Sequence, residues 1–412
     1  MIQVTTEHRP KSEVLLRVSV PDEILYKNKK DVLKNLGKRL EIPGFRVGHI
    51  PLEIVEEKFG EEALRAYLID RVLPESYKEA IVSQNLNVIS RPKVEIVSEK
   101  PFSYEAFVAV FPKISLKNEE DVRVTLDEVI VKPEDIDGLI LDLRKQYATY
   151  NEIERPVIKG DRIEIDFEGC DEKSVAFPEM TSKNHPLILG DGLFLPEFEE
   201  HLVSMTIGEE KQFSLTFPQE YQHKKFRGKT VHFKVKLLDA AQVILSDLNE
   251  SFFEKILDKK VTEQEFREEI GRRLRDYRLT EEIRKKENEL IEKLMQIASF
   301  EISDLAIEQE IDAQLTDLKE NLKVQGISFD DYDKMFHDKG KNLREELRKD
   351  AERKLRTALL IQHLFDLHTI QVSDEEVREF MLKKENSGLK DFQVRQKLLF
   401  DALFQYYLKS SP

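Results

Sequence analysis

One short run near the N-terminus combines residue types suited to docking on a charged partner. It reads Gly44-Phe45-Arg46-Val47-Gly48-His49-Ile50-Pro51 and follows Pro43. Glycine gives the backbone freedom and proline ends helices, so the run predicts an exposed loop between two helices. At its tip, Phe45 and Arg46 would present an apolar ring and a guanidinium, which suit a surface rich in phosphate or carboxylate. The alternative is an ordinary helix–helix connection, since two glycines at this spacing also occur by chance.

The element before this loop is predicted to be a basic helix. It should open at Pro21 and Asp22, with Asp22 as its cap, and run to about Leu40. From Lys27 to Arg46 the helix and loop carry Lys27, Lys29, Lys30, Lys34, Lys38, Arg39 and Arg46 against only Asp31 and Glu41. Such a face is either simply solvated or turned towards phosphate. The exposed loop beside it favours the second interpretation.

Alternation and helical periodicity predict a mixed α/β region over residues 1–112. Its strands are expected at residues 14–20, 93–97 and 104–110, and further helices at 52–59 and 61–85. Residues 113–154 look like a linker, with an extended piece at 122–130 and a helix from 133 to 150 that starts at Pro133.

The middle and the end of the chain differ in character. Residues 155–243 show short alternating strands with glycine turns, predicted at 162–168, 186–189, 210–217 and 230–238. Residues 244–412 are predicted to be helical. Capping boxes Thr262/Glu265 and Ser373/Glu376 should open two of these helices. Long amphipathic stripes favour extended helical arms, while a plain bundle or antiparallel coiled coil remains the alternative.

Composition limits the function classes. A chain of 412 residues is long for one core, and a net charge of −15 argues against general nucleic-acid binding by the whole protein. The single cysteine, Cys170, excludes an internal disulfide framework and fits a reducing cytosol. The N-terminus lacks a signal peptide pattern, and no apolar stretch approaches the roughly 20 residues of a membrane span. A soluble, cytoplasmic protein is therefore expected.

Patterns for metals and cofactors are missing from the sequence. The nine histidines are scattered and no paired-cysteine motif exists, so no metal site is predicted. Gly190-Asp191-Gly192 lacks the third glycine and the helix of a dinucleotide fingerprint, and there is no phosphate-binding loop. We expect no cofactor and no nucleotide cycle.

The complete run from Gly44 to Pro51 is far more specific than its glycine spacing. It resembles the ribosome-docking signature of the trigger factor family, bacterial chaperones that sit at the exit of the ribosomal tunnel. The resemblance implies docking on a large-subunit protein and ribosomal RNA through Gly44, Phe45, Arg46, Gly48 and Pro51. It implies nascent unfolded polypeptides as further partners, and no membrane or sequence-specific nucleic-acid partner; a homodimer off the ribosome stays open. Val47 and His49 stand where the family usually has lysines, which predicts weaker and less salt-sensitive ribosome binding.

A second resemblance, to FKBP-type prolyl isomerases, covers residues 161–238. It rests on Ile165-Asp166-Phe167-Glu168-Gly169, Leu189-Gly190, Gly192, Leu195-Pro196-Glu197-Phe198-Glu199, Ile207-Gly208-Glu209, Tyr221 and Val231-His232-Phe233-Lys234-Val235. The resemblance implies a catalytic pocket lined by Phe167, Phe177, Phe194, Leu195, Phe198, Tyr221 and Phe233. Isomerisation of X-Pro bonds must overcome about 20 kcal/mol of amide resonance, and it needs neither nucleophile nor metal. The alternative is that these aromatics only fill the core of a small β domain.

Three positions depart from the FKBP pattern and predict weak activity. His185 stands where a pocket aromatic is usual, and Pro178 where an acidic residue is common. Glu197 replaces a glycine before the pocket-floor aromatic, where it would crowd or charge the pocket mouth.

The trigger factor resemblance covers nearly the whole chain and implies its domain order. The expected fold class is multidomain α+β, comprising an N-terminal α/β ribosome-docking domain (1–112), a linker (113–154), a small β-rich FKBP-like domain (155–243) and an all-α C-terminal chaperone domain with extended arms (244–412). Such a protein would hold unfolded segments without ATP. Two alternatives remain open: a free cytosolic foldase, and a helical adaptor with an FKBP-like peptide-binding module.

Overall fold

The computed structural model describes residues 1–27, 29–38, 40, 45–46, 49–172, 175–338, 342–382 and 388–408. The strands are β1 Gln3–Arg9, β2 Glu13–Val20, β3 Lys93–Glu99, β4 Phe102–Ala109, β5 Ser115–Leu116, β6 Thr149–Glu152, β7 Asp161–Cys170, β8 Ala176–Ile188, β9 Glu210–Thr216, β10 Thr230–Ile244 and β11 Ala298–Ser299. The helices are α1 Asp22–Lys27, α2 Lys29–Gly37, α3 Leu52–Ser83, α4 Pro133–Gln146, α5 Pro196–Leu202, α6 Glu250–Leu257, α7 Glu263–Ile297, α8 Asp304–Val324, α9 Phe329–Asp338, α10 Leu343–Leu367, α11 Asp374–Leu382 and α12 Asp391–Tyr407. None of the described helices is long and apolar enough to span a bilayer.

The chain divides into two compact units. The split unit comprises Met1–Leu126 and Ile283–Pro412, and the central unit comprises Asp127–Glu282. With a strand-rich middle and a helical C-terminal part, the architecture is multidomain α+β, which confirms the predicted fold class. The three boundaries between the four predicted domains remain predictions.

The split unit contains an antiparallel sheet in the order β1-β2-β4-β3. Strand β2 supplies buried side chains such as Leu16 and Val18, which pack with Leu64 and Leu68 of α3. Helix α3 breaks at Gly60, where φ is +77°, a conformation that glycine adopts at no steric cost. The two predicted helices at 52–59 and 61–85 are therefore confirmed. Strand β1 was not predicted, because its polar, exposed sequence lacks an apolar alternation.

A buried arginine ties the helices of this region to the sheet. The side chain of Arg65 donates to the carbonyl of Glu99 at 2.7 Å, to the Tyr26 hydroxyl at 3.0 Å and to Oδ1 of Asp22 at 3.0 Å. Asp22 is thus the first residue of α1, but its carboxylate accepts a hydrogen bond from Arg65. Of the helix predicted from 21 to about 40, the described part ends at Gly37.

Helices α7, α8, α10 and α12 supply a second core in the split unit. Leu290 and Leu294 of α7 pack there with Ile311 of α8, Leu360 of α10 and Phe404 of α12. The capping box at Ser373 is confirmed: its Oγ accepts from the N–H of Glu376 at 3.2 Å, and its own N–H donates to the Glu376 carboxylate at 2.8 Å.

The central unit is built on a five-stranded antiparallel sheet. Strand β10 is central. On one side it pairs with β7, which in turn pairs with β8; on the other side it pairs first with β9 and then with β6. Ile163 and Ile165 of β7 and Val231 and Val235 of β10 are buried and pack with Phe198 of α5. Strand β8 is far longer than the segment predicted at 186–189.

The predicted helix from 133 to 150 is wrong in its last turn. Helix α4 ends at Gln146, and residues 149–152 form β6, whose Glu152 pairs with Ala241 of β10. Thr149 and Tyr150 suit a strand, so the free backbone edge of β10 overrides the local helical pattern. Residues 122–130 form no strand, and Val124 makes only a single bridge to Leu408.

Candidate functional site

An aromatic cavity of about 650 Å³ opens in the central unit. Its lining comes from β7 to β10, α5 and the turn at Lys224–Phe226: Phe167, Glu179, Met180, Gly192, Leu193, Phe194, Leu195, Pro196, Phe198, Leu215, Phe217, Tyr221, His223, Lys224, Lys225, Phe226 and Phe233. Six of the seven predicted pocket residues lie here. The exception is Phe177, which does not line the cavity: it packs edge-on against the lining residue Phe226, with ring centroids 5.2 Å apart.

The floor of the cavity is a set of interlocked rings. Phe194 and Phe198 stack at 4.7 Å, and Phe167 meets both edge-on at 5.5 and 6.0 Å. Phe233 contacts Phe198 edge-on at 5.1 Å. Stacked and edge-to-face rings are stabilising arrangements, so the floor is held rigidly and offers a proline ring a dry apolar surface.

Glu199 positions the segment that carries Phe194, a role that the sequence did not reveal. Its carboxylate is buried and accepts hydrogen bonds from the backbone N–H of Gly190 at 2.9 Å and of Phe194 at 3.3 Å. Charge-assisted hydrogen bonds of this kind are stronger than neutral ones. They fix the connection between β8 and α5, and with it the stacked pair on the cavity floor.

His185 supports the floor from behind. Its ring contacts Phe167 and Phe194 edge-on at 5.6 and 5.4 Å. Its Nε2 atom is buried and has no hydrogen-bond partner among the described residues. The histidine therefore does fill the place of an aromatic, but it leaves a polar atom unsatisfied.

The rim carries polar and charged groups. Tyr221 meets Phe217 edge-on with ring centroids 4.7 Å apart, and its hydroxyl bonds to no described residue. Lys225 pairs with Glu179 at 2.7 Å, and this hydrogen bond lowers the pKa of Glu179. Phe217 and Phe226 also line the cavity but were not predicted, although both are aromatics near Tyr221 in the sequence.

Two departures from the FKBP pattern lie differently from expectation. Glu197 is exposed in the first turn of α5 and is not a lining residue, so it does not crowd the mouth. Pro178 lies on β8 beside Glu179, which supplies an acidic group at the rim one residue further on.

The described part of the predicted docking loop presents its side chains to solvent. Phe45 is 39% exposed, and Arg46 and Pro51 are also exposed. The carbonyl of Arg46 accepts a hydrogen bond from the N–H of His49 at 2.9 Å, which turns the chain back towards α3. Gly44 and Gly48, which were predicted to take part in docking, lie outside the described residues, as does Val47.

Comparison with known proteins gives a consistent result along the chain. Family models match residues 2–143 (bacterial trigger factor protein), 252–399 (bacterial trigger factor protein, C-terminus) and 154–238 (FKBP-type peptidyl-prolyl cis-trans isomerase). The trigger factor of Caldicellulosiruptor bescii is 32% identical over 90% of this chain and 85% of its own, and that of Geobacillus kaustophilus 31% over 90% and 88%. A solved structure titled "Promiscuous Substrate Recognition in Folding and Assembly Activities of the Trigger Factor Chaperone" aligns over 98% of both chains, with a TM-score of 0.48 and 21% identity. This chain therefore belongs to the bacterial trigger factor family of chaperones, and it contains an FKBP-type peptidyl-prolyl cis-trans isomerase domain.

Proposed function

We propose that this protein docks on the ribosome near the exit tunnel, through Phe45 and Arg46, and holds nascent polypeptides there without ATP. The observation that carries this proposal is the joint exposure of an aromatic ring and a guanidinium on one turn. Large-subunit protein and ribosomal RNA are the contacts that such a pair suits, and the cytoplasm is where the protein would meet them. In this proposal residues 1–112 dock, 113–154 link, 155–243 isomerise and 244–412 hold clients.

The aromatic cavity is proposed as the isomerase site. A proline ring would rest on the floor formed by Phe167, Phe194, Phe198 and Phe233. Removing water from the amide favours the twisted form, in which resonance is lost and charge separation is smaller. The unbonded hydroxyl of Tyr221 is placed at the rim, where it can donate to a substrate carbonyl. Leu195 completes the apolar wall, and Phe177 acts through its contact with Phe226.

Client holding is assigned to the C-terminal helices. Large apolar side chains are exposed there, including Val324 at 88%, Leu382 at 84% and Met335. Separate exposed apolar groups of this kind can hold an unfolded segment by many weak contacts.

The docking proposal is tested by co-sedimentation with bacterial ribosomes. The double variant Phe45→Ala/Arg46→Ala is expected to lose binding while its circular dichroism spectrum stays that of the wild type. The matched control is Phe392→Ala/Arg378→Ala, which also removes one exposed ring and one exposed cation and should bind normally. Wild-type binding by the Phe45/Arg46 variant would refute docking through this loop.

The same experiment bears on the two alternatives. A free foldase would not co-sediment at low salt, and Phe198→Ala would abolish its biological function. A helical adaptor would bind a folded partner and would not suppress aggregation of an unfolded one.

A further inference from the structure

A cationic cleft lies between α2 and α3, beside the docking loop. It has a volume of about 530 Å³ and is lined by Asp31, Leu33, Lys34, Asn35, Gly37, Lys38, Ile50, Leu52 and Arg71. Ile50 and Leu52 connect the loop to α3, so the cleft adjoins the end of the loop. Lys34 and Lys38 are one helical turn apart, and Arg71 reaches the cleft from α3, so three cations from two separate segments of the chain line it.

No described carboxylate neutralises these three cations. Lys34, Lys38 and Arg71 form no ion pair with any residue that the structure describes. Nearby, Lys29 pairs with Glu56 at 2.5 Å and Lys100 with Glu61 at 2.8 Å. Asp31 is the one carboxylate among the lining residues, so the cleft has an excess of positive charge within an acidic protein.

Arg71 is the central member of the group. It also lines two adjacent clefts of about 500 and 520 Å³, one with Tyr67 and one with Lys27. Glu75 lines both of these adjacent clefts, together with Glu79 in one and Asp70 in the other, so neither suits an anion. The exposed guanidinium can therefore offer its fork of donors to an anion in the cleft that it shares with Lys34 and Lys38.

We propose that this cleft is a second ribosome contact, which binds the sugar–phosphate backbone of ribosomal RNA. The inference rests on the proposed docking of the loop and adds a contact of different chemistry. The three positive charges around the cleft are complementary to the negative charges of a nucleic-acid backbone, which carries one charge on each phosphate. Arg71 suits two oxygens of one phosphate, and Lys34 and Lys38 act as point charges. Backbone contacts of this kind fix register, carry no sequence information and depend strongly on salt.

The test is ribosome binding across a potassium chloride series. Three proteins are compared: the wild type, Lys34→Ala/Lys38→Ala/Arg71→Ala, and the control Lys78→Ala/Lys113→Ala/Lys117→Ala. The control removes the same charge from exposed positions of the split unit outside the cleft. The cleft variant should bind more weakly at low salt, and its slope of log K against log [salt] should flatten by roughly 2 units, near the per-phosphate value for three contacts. The control should keep the wild-type slope, and circular dichroism should show that both variants are folded.

The outcomes separate the two proposals. A cleft variant with the wild-type slope, alongside loss of binding by the Phe45/Arg46 variant, would overturn the cleft contact and leave loop docking in place. Failure of the wild type to co-sediment at any salt would overturn both. A photo-reactive phenylalanine at the exposed position of Asn35 identifies the occupant. Cross-links to ribosomal RNA are expected, and cross-links to ribosomal protein alone would refute a phosphate contact.

Discussion

At the scale of single residues, the aromatic cavity depends on two side chains that are not part of its wall. Glu199 holds the segment before α5 through two backbone N–H groups, and His185 packs behind Phe167 and Phe194. Both carboxylate oxygens of Glu199 accept a hydrogen bond, whereas the Nε2 atom of His185 has no partner among the described residues. Their replacement should therefore change stability in opposite directions.

Glu199→Gln is expected to impair both stability and catalysis. A glutamine keeps one acceptor oxygen but turns an NH₂ group towards a backbone donor, so one partly buried N–H loses its partner. The free energy of unfolding should fall by about 1–3 kcal/mol, and kcat/KM for an X-Pro peptide should fall about tenfold as Phe194 loses its support. Urea denaturation and a prolyl isomerase assay measure the two effects. Glu200→Gln, at the exposed next position of α5, is the control, and equal behaviour of the two variants would contradict the role of Glu199.

His185→Phe is expected to stabilise the protein. The substitution keeps edge-on contacts with Phe167 and Phe194 and removes the buried unpartnered nitrogen, so the midpoint of urea denaturation should rise by the equivalent of about 1 kcal/mol. Isomerase activity should be retained or increased. His8→Phe, at an exposed position on β1, should have no such effect. A lower midpoint for His185→Phe would show that the imidazole is satisfied in solution.

The sequence located the rings of the cavity but not their supports. Phe198 and Phe233 stand in ordered motifs that can be recognised directly. Glu199 follows Glu197 on a short helix, and the sequence gives both the appearance of exposed charges. Only packing shows that Glu197 faces solvent while Glu199 is buried.

At the scale of elements, ion pairs join α4 to α7, and a capping box begins α7. The carboxylate of Asp135 accepts from Arg278 of α7 at 2.8 Å and from the N–H of Lys132, before α4, at 2.9 Å. The predicted capping box of α7 is confirmed: the N–H of Thr262 donates to Glu265 at 2.8 Å, and the N–H of Glu265 donates to Thr262 Oγ1 at 3.3 Å.

The Asp135 pair predicts a pH dependence. The hydrogen bond from Arg278, helped by that from Lys132, lowers the pKa of Asp135 to about 2. An unfolded aspartate titrates near pH 3.9, so the pair stabilises the folded state fully above about pH 4, and this stabilisation is lost as the pH falls through 2. Asp135→Asn should therefore destabilise the protein at pH 7, and the difference from wild type should shrink between pH 4 and 2.

Urea denaturation at a series of pH values measures this difference. Asp142→Asn, at an exposed position of the same helix, is the control and should show no such trend. A difference between wild type and Asp135→Asn that is constant with pH would refute the assignment.

The two ends of α4 show when the local sequence is enough to predict the boundary of an element and when it is not. Pro133 opens α4 as its sequence predicts, because the cause is local. Its end could not be read in the same way, because β6 exists only through pairing with β10, about 90 residues further along the chain.

At the scale of the whole molecule, the proposed isomerase site and the proposed docking loop lie in different compact units. The cavity lies in the central unit, whereas Phe45 and Arg46 lie in the split unit. Effects of substitutions at distant sites without shared partners are usually additive. The two activities should therefore be separable by mutation.

Tyr221→Phe is expected to lower isomerase activity without affecting ribosome binding. It removes only the rim hydroxyl, and a lost hydrogen bond to the substrate of about 1.4 kcal/mol would lower kcat about tenfold. Tyr277→Phe, at an exposed position on α7, is the control. Unchanged isomerase kinetics would remove Tyr221 from the mechanism, and joint loss of ribosome binding would contradict separability.

By itself, the sequence determined the features whose causes are local. The glycine–proline run around Phe45, the capping boxes, the change from helical to strand-rich composition and the ordered aromatics all depend on neighbouring residues. Tertiary structure decided the features that depend on distant partners. It buries Glu199 and brings Arg71 to the same cleft as Lys34 and Lys38. It also places Phe266 and Leu290, both on α7, in different hydrophobic cores. Burial and pairing across long sequence separations follow from packing of the complete chain, which no local pattern encodes.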